Sequence, residues 1–141
     1  MKKLLSVIMV ISMLFCLSAC STTNSPTASK EPANLTGEWK QVNSGSNNSW
    51  QSATIEGDVI TIYWVSNNGD TKSLFWAGTY IAPTTTDEPY TWDSVNDRSQ
   101  TDKALLASGD ETKTITYENG QLSYSASIMG TTSTVRLEKQ N

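Results

Sequence analysis

Carboxylates are the side chains of this 141-residue sequence best able to take part in chemistry, and five of them lie between positions 87 and 102. They are Asp87, Glu88, Asp93, Asp97 and Asp102, with Tyr90 and Trp92 among them. Most glycosidases use two carboxylates that face each other across a sugar cleft, beside aromatic rings. This acidic segment is therefore the one candidate for catalysis that the sequence offers.

Two further interpretations fit the same acidic segment. A calcium site needs closely spaced oxygen ligands in a loop, but residues 93–97 lack the Asp-x-Asp-x-Asp-Gly spacing. A solvated loop whose Asp side chains cap turns is the simpler interpretation, and it is the one that the sequence favours. We therefore expect no metal and no cofactor in this segment.

Other catalytic groups are scarce. The chain has no histidine, which removes the usual general base at neutral pH and the usual catalytic triad. Both cysteines lie among the first twenty residues, and the sequence has no Gly-x-Ser-x-Gly, Ser-x-x-Lys, phosphate-loop or dinucleotide motif. We therefore expect the protein not to be an enzyme.

The aromatic residues have two interpretations. Trp and Tyr rings can stack on cell-wall sugars or on a peptide, and with two Asp residues they give a candidate binding surface. Its residues are Trp64, Trp76, Tyr90, Trp92, Asp93 and Asp97. The alternative is that the rings form the core of a small β-domain, which is the commoner place for large apolar side chains.

The first twenty residues have the order of an export signal. Lys2-Lys3 give a positive start, residues 4–17 are an apolar stretch, and Ser18-Ala19 place small side chains before Cys20. The apolar stretch is shorter than the roughly 20 residues that span a bilayer as a helix. The sequence therefore predicts a signal peptide at residues 1–19.

Leu17-Ser18-Ala19-Cys20 resembles the lipobox of bacterial lipoproteins. The resemblance implies cleavage before Cys20 and attachment of lipid, such as palmitate, to this cysteine. It also implies a location at the extracytoplasmic face of the cell membrane, with the membrane as a partner through the lipid on Cys20. Two or more acyl chains hold a protein stably at a membrane, whereas one chain gives only marginal binding.

Cleavage before Cys20 leaves residues 20–141, enough for one domain. Residues 20–34 contain the cysteine, small polar residues and two prolines, which predicts a flexible tether; we expect the β-barrel domain at 35–141. Loss of Lys2 and Lys3 changes the formal net charge from −4 to −6. An acidic domain is poorly suited to phosphate backbones, so we expect no nucleic-acid partner.

From residue 35 onward, short β-type segments alternate with turn signals. Asn119-Gly120 is the clearest of these turns. The pattern predicts an all-β fold, an antiparallel up-and-down meander of about eight or nine strands closed as a small barrel, with a β-sandwich as the alternative. The predicted strands are residues 36–42, 50–56, 59–66, 73–82, 90–95, 103–108, 112–118, 121–129 and 132–138.

Alternation predicts which side chains point inward. In segment 121–129, Leu122, Tyr124, Ala126 and Ile128 share a face opposite three serines, as in a half-buried strand. The hairpin of residues 59–82 is instead apolar on both faces. Its second face must be covered by the tether, a long loop or another subunit, or else it is a binding surface.

Gly37-Glu38-Trp39 begins the first predicted strand, and Arg136 lies in the last. This resembles the lipocalin-like small barrels of the calycin group, which open with Gly-x-Trp. The resemblance implies that Trp39 closes one end of the barrel against Arg136, with a cation–π contact of about 0.5–2 kcal/mol. More loosely, residues 37–138 resemble uncharacterised surface lipoproteins of Gram-positive bacteria and their prophages, which implies no activity.

These patterns favour a membrane-anchored, non-enzymatic binding or shielding module of the cell envelope. Its expected partner is an envelope protein or a cell-wall glycan. One alternative is a prophage-type superinfection-exclusion lipoprotein. Another is a small-ligand carrier with a lipocalin-like interior, and tight packing of Leu122, Tyr124 and Ile128 would argue against it.

Because acylation needs the Cys20 thiolate, we expect Cys20→Ser to move the protein from the membrane fraction to the soluble or secreted fraction. Fractionation followed by immunoblotting measures this. Retention of the variant in the membrane fraction would show instead that residues 4–17 remain as an uncleaved anchor.

Overall fold

A computed structural model describes residues 30–141, apart from the side chain of Ile128. Within these residues the chain forms eight antiparallel strands in one meander sheet that curls into a half-barrel. The predicted all-β, barrel-type fold is confirmed.

The strands are β1 Gly37–Gln41, β2 Trp50–Glu56, β3 Val59–Ser66, β4 Thr71–Thr79, β5 Tyr90–Val95, β6 Thr112–Glu118, β7 Gln121–Ile128 and β8 Thr131–Lys139. A short helix, α1, spans Arg98–Thr101. The predicted signal peptide and Cys20 lie outside the described residues.

The first and last strands pair with each other. The strand order across the sheet is β4-β3-β2-β1-β8-β7-β6-β5. In the β1–β8 ladder, Trp39 lies opposite Lys139 and Gln41 lies opposite Leu137. The two free edges of the sheet, β4 and β5, therefore face each other, and an isolated bridge between Gly78 and Asn96 joins them.

The segment after β5 covers the edge of β4. The amide of Asp97 donates to the carbonyl of Ala77 at 2.8 Å, and the amide of Ser108 donates to the carbonyl of Phe75 at 2.8 Å. These bonds pair backbone groups that an exposed edge strand would leave open. The loop thus covers the edge of β4, whereas Tyr63 and Val65 on the outer face of the hairpin border an open groove.

The predicted strand at residues 103–108 is wrong. This segment makes successive local turns instead. The amide of Ala104 donates to the carbonyl of Thr101, and the amide of Ala107 donates to the carbonyl of Ala104. Leu105 and Leu106 are adjacent apolar residues, so the segment has no alternation that would favour a strand with one wet face.

The inward face follows the predicted alternation. Leu122, Tyr124 and Ala126 of β7 are buried, as are Val135 and Leu137 of β8. The tyrosine hydroxyl donates a hydrogen bond across the interior to the side-chain oxygen of Gln51 on β2. Side chains therefore fill the interior, as in other small barrels.

A bulge changes the predicted pattern in β4. The register between β3 and β4 shifts at Ile62 and Tyr63, which leaves Phe75 as an extra residue opposite them. Phe75 and its neighbour Trp76 are both buried, although strict alternation would place them on opposite faces. The bulge explains part of the hairpin's apolar second face.

The end of the barrel at which the chain enters is closed by residues that precede β1. Leu35 is buried, and its carbonyl accepts a hydrogen bond from Trp39 Nε1 at 2.9 Å. Ala33 packs against the core, and Lys139 Nζ donates to the carbonyl of Asn34 at 2.8 Å. Residues 33–35 therefore pack against the strands that follow them.

The predicted contact between Trp39 and Arg136 is wrong. Arg136 alternates with the inward-facing Val135 and Leu137, so its exposed side chain lies on the outer face. Trp39 lies inside, with its ring edge-on to Tyr117 at 6.4 Å between centroids. Trp39 is buried, and its partners are Leu35 and Tyr117.

Gly78 marks the closest approach of β4 to β5. A Cβ atom added there would lie 2.5 Å from Ser94 Oγ and 2.6 Å from Trp76 Nε1, two atoms that share a buried hydrogen bond. Because this overpacks the core, we expect Gly78→Ala to lower the free energy of unfolding by about 1–3 kcal/mol, measured by chemical denaturation. The control is Gly45→Ala, where an added Cβ meets nothing within 4 Å. Equal stability of the two variants would contradict the packed seam.

Candidate functional site

The binding surface predicted from the sequence is not assembled. Trp76 and Trp92 are core residues, exposed by only 0% and 4%. Their indole nitrogens donate to Ser94 Oγ at 3.0 Å and to the carbonyl of Thr79 at 3.2 Å. These two rings serve packing, which is the alternative that the sequence left open.

Tyr90 also belongs mainly to the core. Its ring stacks on Trp92 at 5.8 Å between centroids, and its hydroxyl donates to the carbonyl of Ile81 at 2.8 Å. Burial raises the pKa of the Tyr90 hydroxyl above its ordinary value. Tyr90 borders a cavity of about 120 Å³ at the end where the chain enters, far along the strands from Trp64.

The two predicted carboxylates have separate local partners. Asp97 caps α1, accepting hydrogen bonds from the amide of Ser99 at 3.0 Å and from Gln100 Nε2 at 2.7 Å. Hydrogen bonds from the side chains of Ser99 and Gln100 hold the pKa of Asp97 below its ordinary value. Asp93 lies on the outer face of β5 and accepts from Thr114 Oγ1 at 2.6 Å. The turn-capping interpretation is confirmed for Asp97, and Asp93 and Asp97 bind different partners.

An apolar groove lies at the opposite end of the barrel, and we call it the mouth groove. Its floor consists of Trp64, near the end of β3, and Phe75, whose rings meet edge-on at 5.3 Å between centroids. One wall is the loop 105–110, and the other is Ser127 with Met129 at the β7–β8 turn. The groove has a volume of about 630 Å³.

The rim of the mouth groove is apolar and exposed. Leu105 is 97% exposed and Met129 is 102% exposed, and Leu106 beside them is 53% exposed. Of these surroundings, the sequence indicated only Trp64. The sequence predicts strands for Leu105, Leu106 and Met129, but Met129 occupies a turn with a positive φ of 48°.

A buried ammonium group lies behind the groove floor. Lys113 Nζ is 5.1 Å from the ring centroid of Phe75 and 5.0 Å from that of Trp76, and its side chain is only 5% exposed. It donates to Asp110 Oδ2 at 3.1 Å and to the carbonyl of Ser125 at 3.3 Å. The charge is therefore both paired and hydrogen-bonded, as a buried charge requires.

Asp110 links this ammonium to the groove wall. Its carboxylate accepts hydrogen bonds from Ser108 Oγ at 2.7 Å and from Lys113. These two bonds hold the pKa of Asp110 below its ordinary value of 3.8.

Residues 30–141 contain no group of three His, Cys, Asp or Glu side chains arranged to hold a metal ion. In the same part of the chain, no helix has the length and apolar character that a membrane span requires. Comparison with known proteins finds no matching family model, no matching curated protein and no matching solved structure.

Asp110→Asn tests the pairing with Lys113. The pKa of Asp110 is lower in the folded protein than its ordinary value of 3.8, which we take for the unfolded chain. The carboxylate therefore stabilises the fold fully at pH values above 3.8, and this stabilisation is lost as the pH falls through the pKa of the folded protein. We expect the variant to be less stable by about 1 kcal/mol at pH 7, because this pair is partly exposed. The difference from the native protein should shrink below about pH 4.

Thermal unfolding at several pH values measures this difference. The control is Asp70→Asn, an exposed carboxylate at the β3–β4 turn. A difference that stays constant down to pH 2.5, or an equal loss in the control, would contradict the assigned pairing.

Proposed function

We propose that the protein is an exported lipoprotein, anchored through Cys20 at the extracytoplasmic face of the cell membrane, and that it acts as a non-enzymatic binding module of the cell envelope. The mouth groove would take an apolar side-chain cluster of an envelope protein. The lipobox resemblance supports the location, and the apolar groove supports binding.

The direction of the strands supports this assignment. Residues 33–39 lie at the end where β1 begins, and the lipid would be attached on that side. The mouth groove lies at the other end, formed by the ends of β3 and β7 and by the start of β4. On a tether, the groove would therefore be accessible to partners beyond the membrane surface.

The exposed rim is the observation that carries the proposal. Leu105 and Met129 hold almost their full side-chain surface in water on either side of an aromatic floor. Contiguous exposed apolar surface with a polar surround is typical of protein–protein interaction sites. Because the rim stands open, the groove fits projecting side chains of another protein, and a phage protein would be one such partner in the exclusion hypothesis.

A small-ligand carrier is the second candidate. The groove volume of about 630 Å³ lies within the range of small-molecule sites. Leu122 and Tyr124, however, fill the interior with 0% and 3% exposure. A carrier would therefore hold its ligand at the mouth and not inside a lipocalin-like cup.

The double change Leu105→Gln with Met129→Gln replaces the apolar rim with polar side chains of similar size. We expect the full chain to lose at least tenfold in affinity for its envelope partner, since two apolar contacts of about 1 kcal/mol each would be lost. Stability should be unchanged, because both side chains are exposed. Cross-linking in cells, followed by quantitative immunoprecipitation, measures capture.

The matched control is Ile81→Gln, which removes an apolar side chain that is 57% exposed at the other end of the barrel. Anilinonaphthalene sulfonate serves as a separate small apolar probe of the groove. Loss of dye fluorescence without any loss of protein capture would favour the carrier. If the double variant keeps both dye fluorescence and protein capture, the groove is not the binding site.

A further inference from the structure

The two halves of the barrel have different outer faces. On β6, β7 and β8, the outward positions are mostly Ser and Thr, as in residues 112–116, 123–127 and 132–134. On β2 and β3, the outward positions include Trp50, Tyr63 and Val65. An outer barrel face in water needs no such residues, so this half requires a separate explanation.

These residues form a second site, which we call the outer platform. Trp50 lies opposite Val65 in the β2–β3 ladder, and Tyr63 lies two residues along the same face. All three line a shallow groove of about 220 Å³ together with Lys40 and Lys72. Trp50 and Tyr63 are half-buried, whereas Val65 is only 2% exposed, so the two rings form the accessible apolar surface.

Two lysines flank the rings. Lys40 Nζ lies 4.3 Å from the ring centroid of Trp50, and Lys72 follows on β4 beside Val65. Both side chains are exposed, and within residues 30–141 neither forms an ion pair; Glu38 borders the groove at one edge. Lys40 contacts the Trp50 ring and lies opposite Glu138 in the β1–β8 ladder, but two ammonium groups at one place are still notable on a domain whose formal charge is −6 once the signal residues Lys2 and Lys3 are removed from a total of −4.

We propose that the outer platform binds an anionic glycan, with sugar rings on Trp50 and Tyr63 and a carboxylate or phosphate between Lys40 and Lys72. Aromatic faces pack on the apolar faces of sugar rings, while exposed ammonium groups give charge complementarity that salt weakens. The hydroxyls of Ser52 and Thr54 border the same groove and can bond to sugar hydroxyls. The rings alone would suit a neutral sugar, and the lysines select a charged one.

This site is independent of the mouth groove. The outer platform lies on the convex outside of β1–β4, whereas the mouth groove is built from inward-facing Trp64 and from the loops at the barrel end. Failure of one proposal therefore leaves the other intact.

The test uses full-length protein in phosphatidylcholine proteoliposomes, with fluorescent polysaccharides in the surrounding buffer. The probes are polygalacturonate, a sugar-phosphate polymer of the teichoic type, and neutral dextran. We expect at least one anionic polymer to bind better than dextran, and to bind less as salt rises. The polymer that binds identifies the source of the charge.

Lys40→Gln with Lys72→Gln should weaken binding about tenfold, since two exposed ion pairs are lost. Trp50→Ala should weaken binding of the same polymer, and circular dichroism checks that it folds. The matched control is Arg136→Gln, which removes an exposed cation from the outer face of β8. The proposal is overturned if neither anionic polymer binds, if dextran binds equally well, or if the control variant loses as much affinity as the lysine variant.

Discussion

The pairing of β1 with β8 is the constraint on which the rest of the structure depends. It joins the two ends of the meander, and hydrogen bonds from Val42 to the carbonyl of Arg136 and from Gln140 to the carbonyl of Glu38 extend it at either end. Because the first and last strands pair in the middle of the sheet, its two free edges are β4 and β5. The residues after β5 then cover the edge of β4, which protects it from pairing with other chains.

The filled interior of the half-barrel determines where binding can occur. The described domain contains no cysteine, so its stability depends on large buried side chains such as Trp39 and Trp76. Because these rings occupy the interior, little room remains for a deep ligand cup. Binding is left to two places: the mouth, where Trp64 meets water beside a loop, and the outer face, where Trp50 lies between lysines.

Features that depend on neighbouring residues could be predicted from the sequence, such as the Asn119-Gly120 turn with its two positive φ angles and the alternation in β7. Features that depend on distant residues could not. The loop 103–108 is shaped by the edge of β4, and the bulge at Phe75 by its pairing with β3. The candidate site was missed for the same reason, since the mouth groove joins residues from positions 64 to 129.

Hydrogen–deuterium exchange of the full-length protein tests the β1–β8 pairing most directly. The account predicts that the amides of Val42 and Gln140, which flank the β1–β8 ladder, exchange as slowly as that of Tyr124 in the β7–β8 ladder. Exchange of Val42 and Gln140 at the rate of exposed Gly45, with β7–β8 still protected, would show that β1 and β8 are not paired. In that case the eight strands would not form one sheet, and the mouth groove, which joins Trp64 and Phe75 to Ser127 and Met129, would be wrongly placed.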